Sequence, residues 1–548
     1  QQFTADQVSA PVKRIQDVRM LRNLQFPEDN GPMAHPVRPD SYIEINNFYT
    51  VTVYEKGAEV IRMLHTLLGP ELFRKGLALY LRRHDGQAAT TDDFIAAMAE
   101  VSERDLVQFK RWYTQAGTPR LMARSEYDAS THTFTLSLEQ SNPSTPGQTG
   151  KEPLHIPVAM ALLDNLGREL PMTCRERRDE AARGLFELRG NKESLLFTGL
   201  TEKPHPSLLR NFSAPVKVEQ PCDEEELLFL FRHDHDPFNR WEAGQTLAGR
   251  LVLGLAADFR QGRPLALDSR FIGACARLLE EECGKDKAFL ALLLTLPSEE
   301  YLAEQMEVVD VEAIHAARRF ARETLGQSLR FLWEKIYHDN RVAGPYRYMP
   351  RLAGQRSLRN LCLAYLMAIE DDGAMALALG QFNRAGNMTD RQAAFTAIVH
   401  SARPERRQVI VEFYRQWQHE PLVLDKWFSV QATAPLPGTL AEVQKLMDHT
   451  AFNLKNPNKV RALIGSFAGG NPVCFHDGSG LGYRFLADQI LVLDPVNPQI
   501  AARLAARLGR WARYDQARQA LMRDQLKRLA DSPSLSRDVY EMVSRSLG

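Results

Sequence analysis

The segment Asn46-Asn-Phe-Tyr49-Thr-Val-Thr-Val-Tyr54-Glu-Lys-Gly57 sets two tyrosines and two asparagines at the entrance to an apolar helix, the side chains of this sequence best suited to chemistry. A phenol is protonated at neutral pH and can donate a hydrogen bond to an oxyanion as negative charge develops there. The same residues also suit a structural role, Tyr49 and Tyr54 being core aromatics whose hydroxyls find backbone partners. Their types and spacing alone leave both readings open.

Other strings carry less. H-E-x-x-H, which sets two imidazoles one helical turn apart and is the most direct sign of a zinc peptidase helix, does not occur. The nearest string, His419-Glu420-Pro421-Leu422-Val423, lacks the second His and carries a helix-breaking Pro. His233-Asp234-His235-Asp236 is rich in ligand types, but alternate residues diverge on a helix. Ahead of Pro237 it reads as a solvated loop, with Asp236 or Asn239 capping the next helix. Gly478-Ser-Gly480-Leu-Gly482 misses the dinucleotide spacing and reads as a loop, and no G-x-S-x-G elbow or P-loop string is present. No metal ligand is assigned within the chain, and the residues alone assemble no complete active site.

The elements that must position these residues follow from periodicity. Val53, Tyr54, Gly57, Val60, Ile61, Leu64 and Leu68 form one helical stripe, stopped by Gly69-Pro70. Further helices are expected from about Glu71 to Arg83, from an N-cap at Thr91 through Phe94, Ile95, Met98 and Val101, and from Leu106 to Gln115. After Gly117 the period changes: Phe134-Thr-Leu-Ser-Leu138 alternates, and short apolar runs at 154–163, 184–188 and 194–200 are separated by turn formers, as in a small antiparallel β-sandwich. The polar stretch Ser141 to Lys151 reads as a hairpin connection. From Glu224 onward the helical period returns, with expected helices at 239–256, 311–337, 405–417 and 497–511 and caps at Asp310, Thr389 and Asn497. No strict repeat period is visible, yet so long a run of helices is expected to stack into a curved solenoid with a concave face. The chain is thus mostly α with a β-sandwich module, divided at 1–117, 118–219 and 220–548.

Composition bounds the partners. At 548 residues the chain exceeds what one hydrophobic core organises, and its 68 Lys and Arg balance its 68 Asp and Glu. That balance argues against a nucleic-acid binder and against attachment to an acidic membrane surface. The longest apolar runs, around Ala288 to Leu296 and Leu361 to Ile369, are about half of a membrane span. Six cysteines without a C-x-x-C pair favour a reducing, cytoplasmic compartment. Gln1 has no initiator Met, basic region or apolar region with it, so no signal peptide is expected and Gln1 reads as a cut end.

Asn46 to Met63 (NNFYTVTVYEKGAEVIRM) resembles the segment that follows the zinc site in the M1 family of zinc aminopeptidases, in its bacterial aminopeptidase N branch. Gly31 to Pro39 (GPMAHPVRP), Phe109 to Pro119 (FKRWYTQAGTP), Phe238 to Gln245 (FNRWEAGQ) and Asn456 to Phe467 (NPNKVRALIGSF) resemble the same branch, so the similarity runs through the chain. The resemblance implies the C-terminal helical part of a thermolysin-like catalytic domain, then the β-module, then an α-helical superhelix. It implies zinc as cofactor, with ligands, general base and amine-binding Glu all upstream of Gln1. It implies removal of N-terminal residues from peptides, with Tyr54 as the catalytic tyrosine that stabilises the oxyanion. Asn46 and Tyr49 then border the substrate cleft. Gln499 and Arg503, an i,i+4 pair after Asn497-Pro498, then face the closed chamber, with Arg503 reaching peptide carbonyls or a C-terminal carboxylate. The isolated chain is expected to be inactive, the missing N-terminal portion of the same enzyme being its partner. The rival expectation is a helical-repeat interaction module without catalysis.

Overall fold

Helix-forming sequence occupies the first part of the computed structural model, which describes residues 2–548; Gln1 lies outside the described residues. Contacts divide the chain into two compact units, residues up to Thr246 and Leu247–Gly548.

In the first unit the helix Gln2–Met20 runs on through a π turn, Leu21–Gln25, into Phe26–Asp29. After the 3-10 turn Ile45–Phe48, a second π turn, Thr52–Lys56, leads into the helix Gly57–Leu68. Gly69, at φ +78, stops that helix, and Pro70–His84 follows. The helix Thr91–Ser102 is capped one residue earlier than expected. Thr90 accepts from the Asp93 N–H and Asp93 reciprocates in a capping box, so Thr91 is already helical. The segment expected as one helix from Leu106 to Gln115 is a 3-10 turn, Gln108–Lys110, followed by Arg111–Thr114.

The expected stripe needs one correction. Tyr54 is 60% exposed, and the buried face of the following helix is Glu59, Val60, Met63, Leu64, Leu67 and Leu68. At about 100° per residue Tyr54 falls roughly 120–180° around the helix from Val60, Met63 and Leu67, so a stripe drawn through Tyr54 follows the edge of the buried face and not its centre. Tyr49 is also exposed, so neither tyrosine is a core aromatic.

The β-module comprises β1 (Arg120–Asp128), β2 (Thr133–Ser141), β3 (Ile156–Leu163), β4 (Glu169–Leu170), β5 (Leu185–Leu188), β6 (Lys192–Thr198), β7 (His205–Leu208) and β8 (Lys217–Glu219). One sheet runs β6-β2-β1-β8; in the other, β3 pairs with β4, β5 and β7. All pairings are antiparallel except the short β1–β8 ladder. The polar stretch Ser141 to Lys151 is not a hairpin connection, because β2 pairs with β1 and β6 while β3 belongs to the other sheet. One hydrophobic core joins the helices to this module, running from Val60, Met63 and Trp112 to Phe134, Ile156 and Phe197.

The second unit is helical throughout its described elements. Neighbouring helices pack, as Arg330–Asp339 on Pro350–Met367 and Met388–Val399 on Glu405–Trp417. Alternate helices also meet, as Pro350–Met367 with Met388–Val399 and Met388–Val399 with Pro421–Ala432. Such first- and second-neighbour packing is that of stacked helical repeats. Trp333 stacks on Tyr365 at 4.5 Å and Phe395 on Phe413 at 4.3 Å in these layers.

Where 311–337 reads as one helix, the chain breaks at Leu329 into Val311–Ser328 and Arg330–Asp339; the Trp333 indole N–H donates to the Leu325 carbonyl at the break, 3.0 Å away. The 497–511 helix closes at Ala505. Asp310 and Asn497 cap as expected, but Asn387, not Thr389, caps Met388–Val399 by accepting from the Asp390 N–H. Asp236 caps Pro237–Arg260 through the Asn239 N–H, while Asp234 beside it is buried rather than solvated. Among the described residues no helix is long and apolar enough to cross a membrane.

Candidate active site

Tyr54 is presented from the π turn Thr52–Lys56, and each end of that turn is tied down. On the N-terminal side the Tyr54 N–H donates to the Thr50 carbonyl at 3.2 Å, and the Val53 N–H donates to the Thr50 hydroxyl at 3.2 Å. The Thr50 hydroxyl shares a second hydrogen bond with His35 Nε2 at 2.9 Å. Thr52 is fully buried. Its backbone N–H and hydroxyl both donate to Glu28 Oε1, at 3.0 and 2.6 Å, and Gln25 Nε2 donates to its hydroxyl at 3.2 Å. Burial pushes the Glu28 carboxyl above its ordinary value, partly offset by the Thr52 hydroxyl and by His35.

On the C-terminal side two charged residues point inward. Lys56 Nζ donates to Asp29 Oδ2 at 2.9 Å and to the Gly117 carbonyl at 2.8 Å, and the Thr118 hydroxyl donates to the same carboxylate oxygen at 2.9 Å. Glu59 receives both arms of Arg14, at 2.8 and 2.5 Å, with each residue 1% exposed. Lys56 and Glu59 thus anchor the buried side of the segment whose outer side carries Tyr54. Glu55, between Tyr54 and Lys56, has its carboxyl raised by burial and then by the nearby Asp17.

The outer surface is aromatic. Tyr42 meets Phe48 at 6.1 Å, Phe48 meets Tyr49 at 5.8 Å, and Tyr49 faces Tyr54 at 6.5 Å with the rings tilted by 32°. Asn46 sits exposed in the turn Ile45–Phe48, its N–H donating to the Glu44 carboxylate at 3.3 Å. A single helix carrying Asn46, Tyr49 and Tyr54 is excluded, because the chain leaves helical geometry at Tyr49 (φ −81, ψ 68). The structure therefore brings Tyr49 and Tyr54 together in one aromatic row, with Asn46 on the preceding turn.

Gln499 and Arg503 belong to the second unit. They lie one turn apart on the helix Pro498–Ala505, Gln499 half-buried and Arg503 exposed. Asn497 fixes the start of that helix by accepting from the Ile500 N–H at 3.1 Å.

The family resemblance implies zinc, which needs three or four His, Cys, Asp or Glu side chains converging on one point. Among the described residues no group of three or more His, Cys, Asp or Glu is arranged to hold a metal ion. The ligand-rich string 233–236 is divided between a helix end, the buried Asp234 and the cap Asp236. The residues present do not fit a zinc site.

Sequence reasoning missed Thr52, Lys56, Glu59 and their partners Glu28, Asp29 and Arg14. The signal was available: Lys56 and Glu59 fall in phase with Val60, Met63 and Leu67 on the helix, so charged side chains continue an apolar face.

Comparison with known proteins gives this geometry its setting. The peptidase family M1 domain matches residues 4–113, an Ig-like domain of unknown function matches 117–221, and an ARM-repeat domain of unknown function matches 224–548. The chain is 43% identical over 548 residues to aminopeptidase N of Escherichia coli (strain K12), covering 100% of this chain and 62% of that protein. It is 45% identical over 549 residues to aminopeptidase N of Caulobacter vibrioides, again covering 62% of the relative. Among solved structures, that of Legionella pneumophila aminopeptidase A in complex with aspartic acid matches with a TM-score of 0.86 at 30% identity, over 100% of this chain and 61% of the other. With this similarity running from end to end and covering about three-fifths of each relative's length, the chain belongs to the M1 peptidase family, in its bacterial aminopeptidase N branch.

Proposed function

We propose that the chain is part of a zinc-dependent aminopeptidase that releases N-terminal residues from peptides, and that it supplies the oxyanion-stabilising Tyr54 and substrate-enclosing helices. The observation that carries this reading is the presentation of Tyr54: a 60% exposed phenol on a segment whose opposite side is anchored by Thr52, Lys56 and Glu59. As water adds to the scissile carbonyl, the phenol Oη–H donates to the carbonyl oxygen while charge accumulates there. A donor held in place before the reaction stabilises that charge without reorganising. Tyr49 and Asn46 extend the same surface along the peptide backbone. Gln499 and Arg503 are the peptide-binding side chains of the second unit, the Arg503 guanidinium matching a peptide carbonyl or C-terminal carboxylate. Support for those two is the family resemblance together with Arg503's exposure.

Zinc is the metal of this family. Its ligands belong, as the family resemblance implies, to a portion of the enzyme outside these 548 residues, and no step assigned to this chain runs through the metal. The division at 1–117, 118–219 and 220–548 belongs to the same reading. So does a cytoplasmic setting, supported by six free cysteines.

The test is complementation. The chain alone, and the chain mixed with an N-terminal portion bearing H-E-x-x-H, are assayed for bound zinc and for release of chromophore from an alanyl chromogenic amide. The reading expects both signals only after mixing. A complex that forms yet neither retains zinc nor cleaves the amide would overturn it.

A further inference from the structure

The Arg14–Glu59 pair is held from three sides. The guanidinium donates twice to Glu59, its Nε–H donates to the Asn211 carbonyl at 3.0 Å, and one terminal N–H donates to the Phe212 carbonyl at 3.3 Å. Its carbon lies 5.3 Å from the centre of the Phe212 ring. The two carbonyls belong to a strained turn: Leu209, Asn211 and Phe212 have φ of +52, +54 and +51, left-handed values that residues with a Cβ rarely adopt. That turn is itself pinned. The Ser213 hydroxyl donates to the Pro157 carbonyl at 2.8 Å and accepts from the Ala159 N–H at 3.0 Å on β3, and the Asn211 N–H donates to Asp236 at 3.1 Å. Glu59 is therefore referenced, through Arg14, to a fixed point in the β-module.

This anchor lies just beyond a π turn. The π register is set by Gly57 N–H donating to the Thr52 carbonyl, and relaxation to an α register would rotate everything after the turn by about one residue's share of a helical turn, roughly 100°. Thr52, tied to Glu28 and Gln25, fixes the near side, and Glu59 fixes the far side. With both sides fixed, the turn cannot relax without breaking one anchor.

Resting on the reading of Tyr54 above, we infer that Glu59 and Arg14 are positioning residues: they lock the Thr52–Lys56 π turn in register and thereby fix the direction of the Tyr54 phenol. A buried ion pair suits this role because its hydrogen bonds specify angle and distance, which an apolar contact of equal volume does not.

The test is a double-mutant cycle in the assembled enzyme with Glu59→Gln, Tyr54→Phe and the pair together, read as kcat and KM separately. Glu59→Gln lowers kcat by ~10- to 100-fold with KM little changed, as expected for a misplaced transition-state contact. If Glu59 acts through Tyr54, adding Glu59→Gln to Tyr54→Phe costs nothing further. Full additivity of the two losses, with the variants folded, overturns the inference. Hydrogen exchange on the 548-residue chain gives a readout besides activity: Glu59→Gln should speed exchange at Gly57 and its neighbours while the strands of the β-module stay protected. Should Glu59→Gln fail to fold, Arg14→Lys, which keeps the charge and loses the fork, must show the same local exchange; unchanged exchange overturns the proposal. A Tyr54→Phe enzyme with full turnover would instead remove the reading of Tyr54 and leave the exchange result to judge the lock.

Discussion

Lys56 and Asp29 form an ion pair whose side chains are 1% and 0% exposed, and Asp29 Oδ1 has no hydrogen-bond partner. Taking such charges out of water costs about as much as their attraction returns, so the pair contributes geometry more than net stability. Breaking it is another matter. Lys56→Met would leave the Asp29 carboxylate buried without its cation, and denaturant unfolding should show a loss of about 3–5 kcal/mol. Tyr54→Phe, at an exposed position, should move the unfolding midpoint little, within about 0.5 kcal/mol. A large loss from Tyr54→Phe, or none from Lys56→Met, would contradict the division of this segment into an anchored side and a presenting side. Here the sequence was legible in part. Resemblance pointed to Tyr54, and apolar periodicity pointed to the helix, but the expected stripe is anchored on Val53, Tyr54 and Gly57, whereas the buried face is centred on Val60, Met63 and Leu67, about 120–180° around the helix from Tyr54. The charged anchors were in phase with the core, and only their burial shows that Lys56 and Glu59 face inward.

Elements were legible where local chemistry governs them. The helix Glu405–Trp417 has the limits its periodicity predicts, and Asp310 and Asn497 cap where expected. Misreadings arose where a distant contact governs: the Ser141 to Lys151 stretch joins two sheets, and the Leu329 break lies where a Trp333 indole reaches back to Leu325. The capping box of Thr91–Ser102 predicts that Thr90→Ala costs about 1 kcal/mol, measured as a lowered denaturation midpoint. In the second unit, buried His476 joins three helical segments. Its Nδ1 meets the Tyr483 hydroxyl and its Nε2 the Tyr514 hydroxyl, each at 3.0 Å, and the Tyr514 ring stacks on it at 4.3 Å. Burial, and then the nearby Arg518, push its pKa down to about 3. An unfolded histidine titrates near 6.5, so between those values the unfolded chain binds the extra proton. The contribution is complete above pH 6.5 and is lost as pH falls toward 3, at about 1.4 kcal/mol per pH unit. Unfolding curves at pH 7 and pH 5 should therefore separate, and His476→Gln should narrow the gap; an unchanged gap would show that His476 is not its source.

At the scale of the whole molecule, composition excluded more than it assigned. Equal numbers of acidic and basic residues left no field to choose a partner, and no periodicity could show that helices before Gly117 share a core with strands after it. Similarity over the full 548 residues to relatives named aminopeptidase N supports the proposed aminopeptidase reading over a helical-repeat interaction module, which would have no use for an anchored, outward-facing Tyr54. The central claim is that this tyrosine stabilises the transition state. Its most direct measurement is steady-state turnover of an alanyl chromogenic amide by the assembled enzyme with Tyr54→Phe. The account predicts a kcat lower by about 10²- to 10³-fold with KM and melting behaviour preserved. Near-normal kcat in a folded, zinc-loaded Tyr54→Phe enzyme would contradict it.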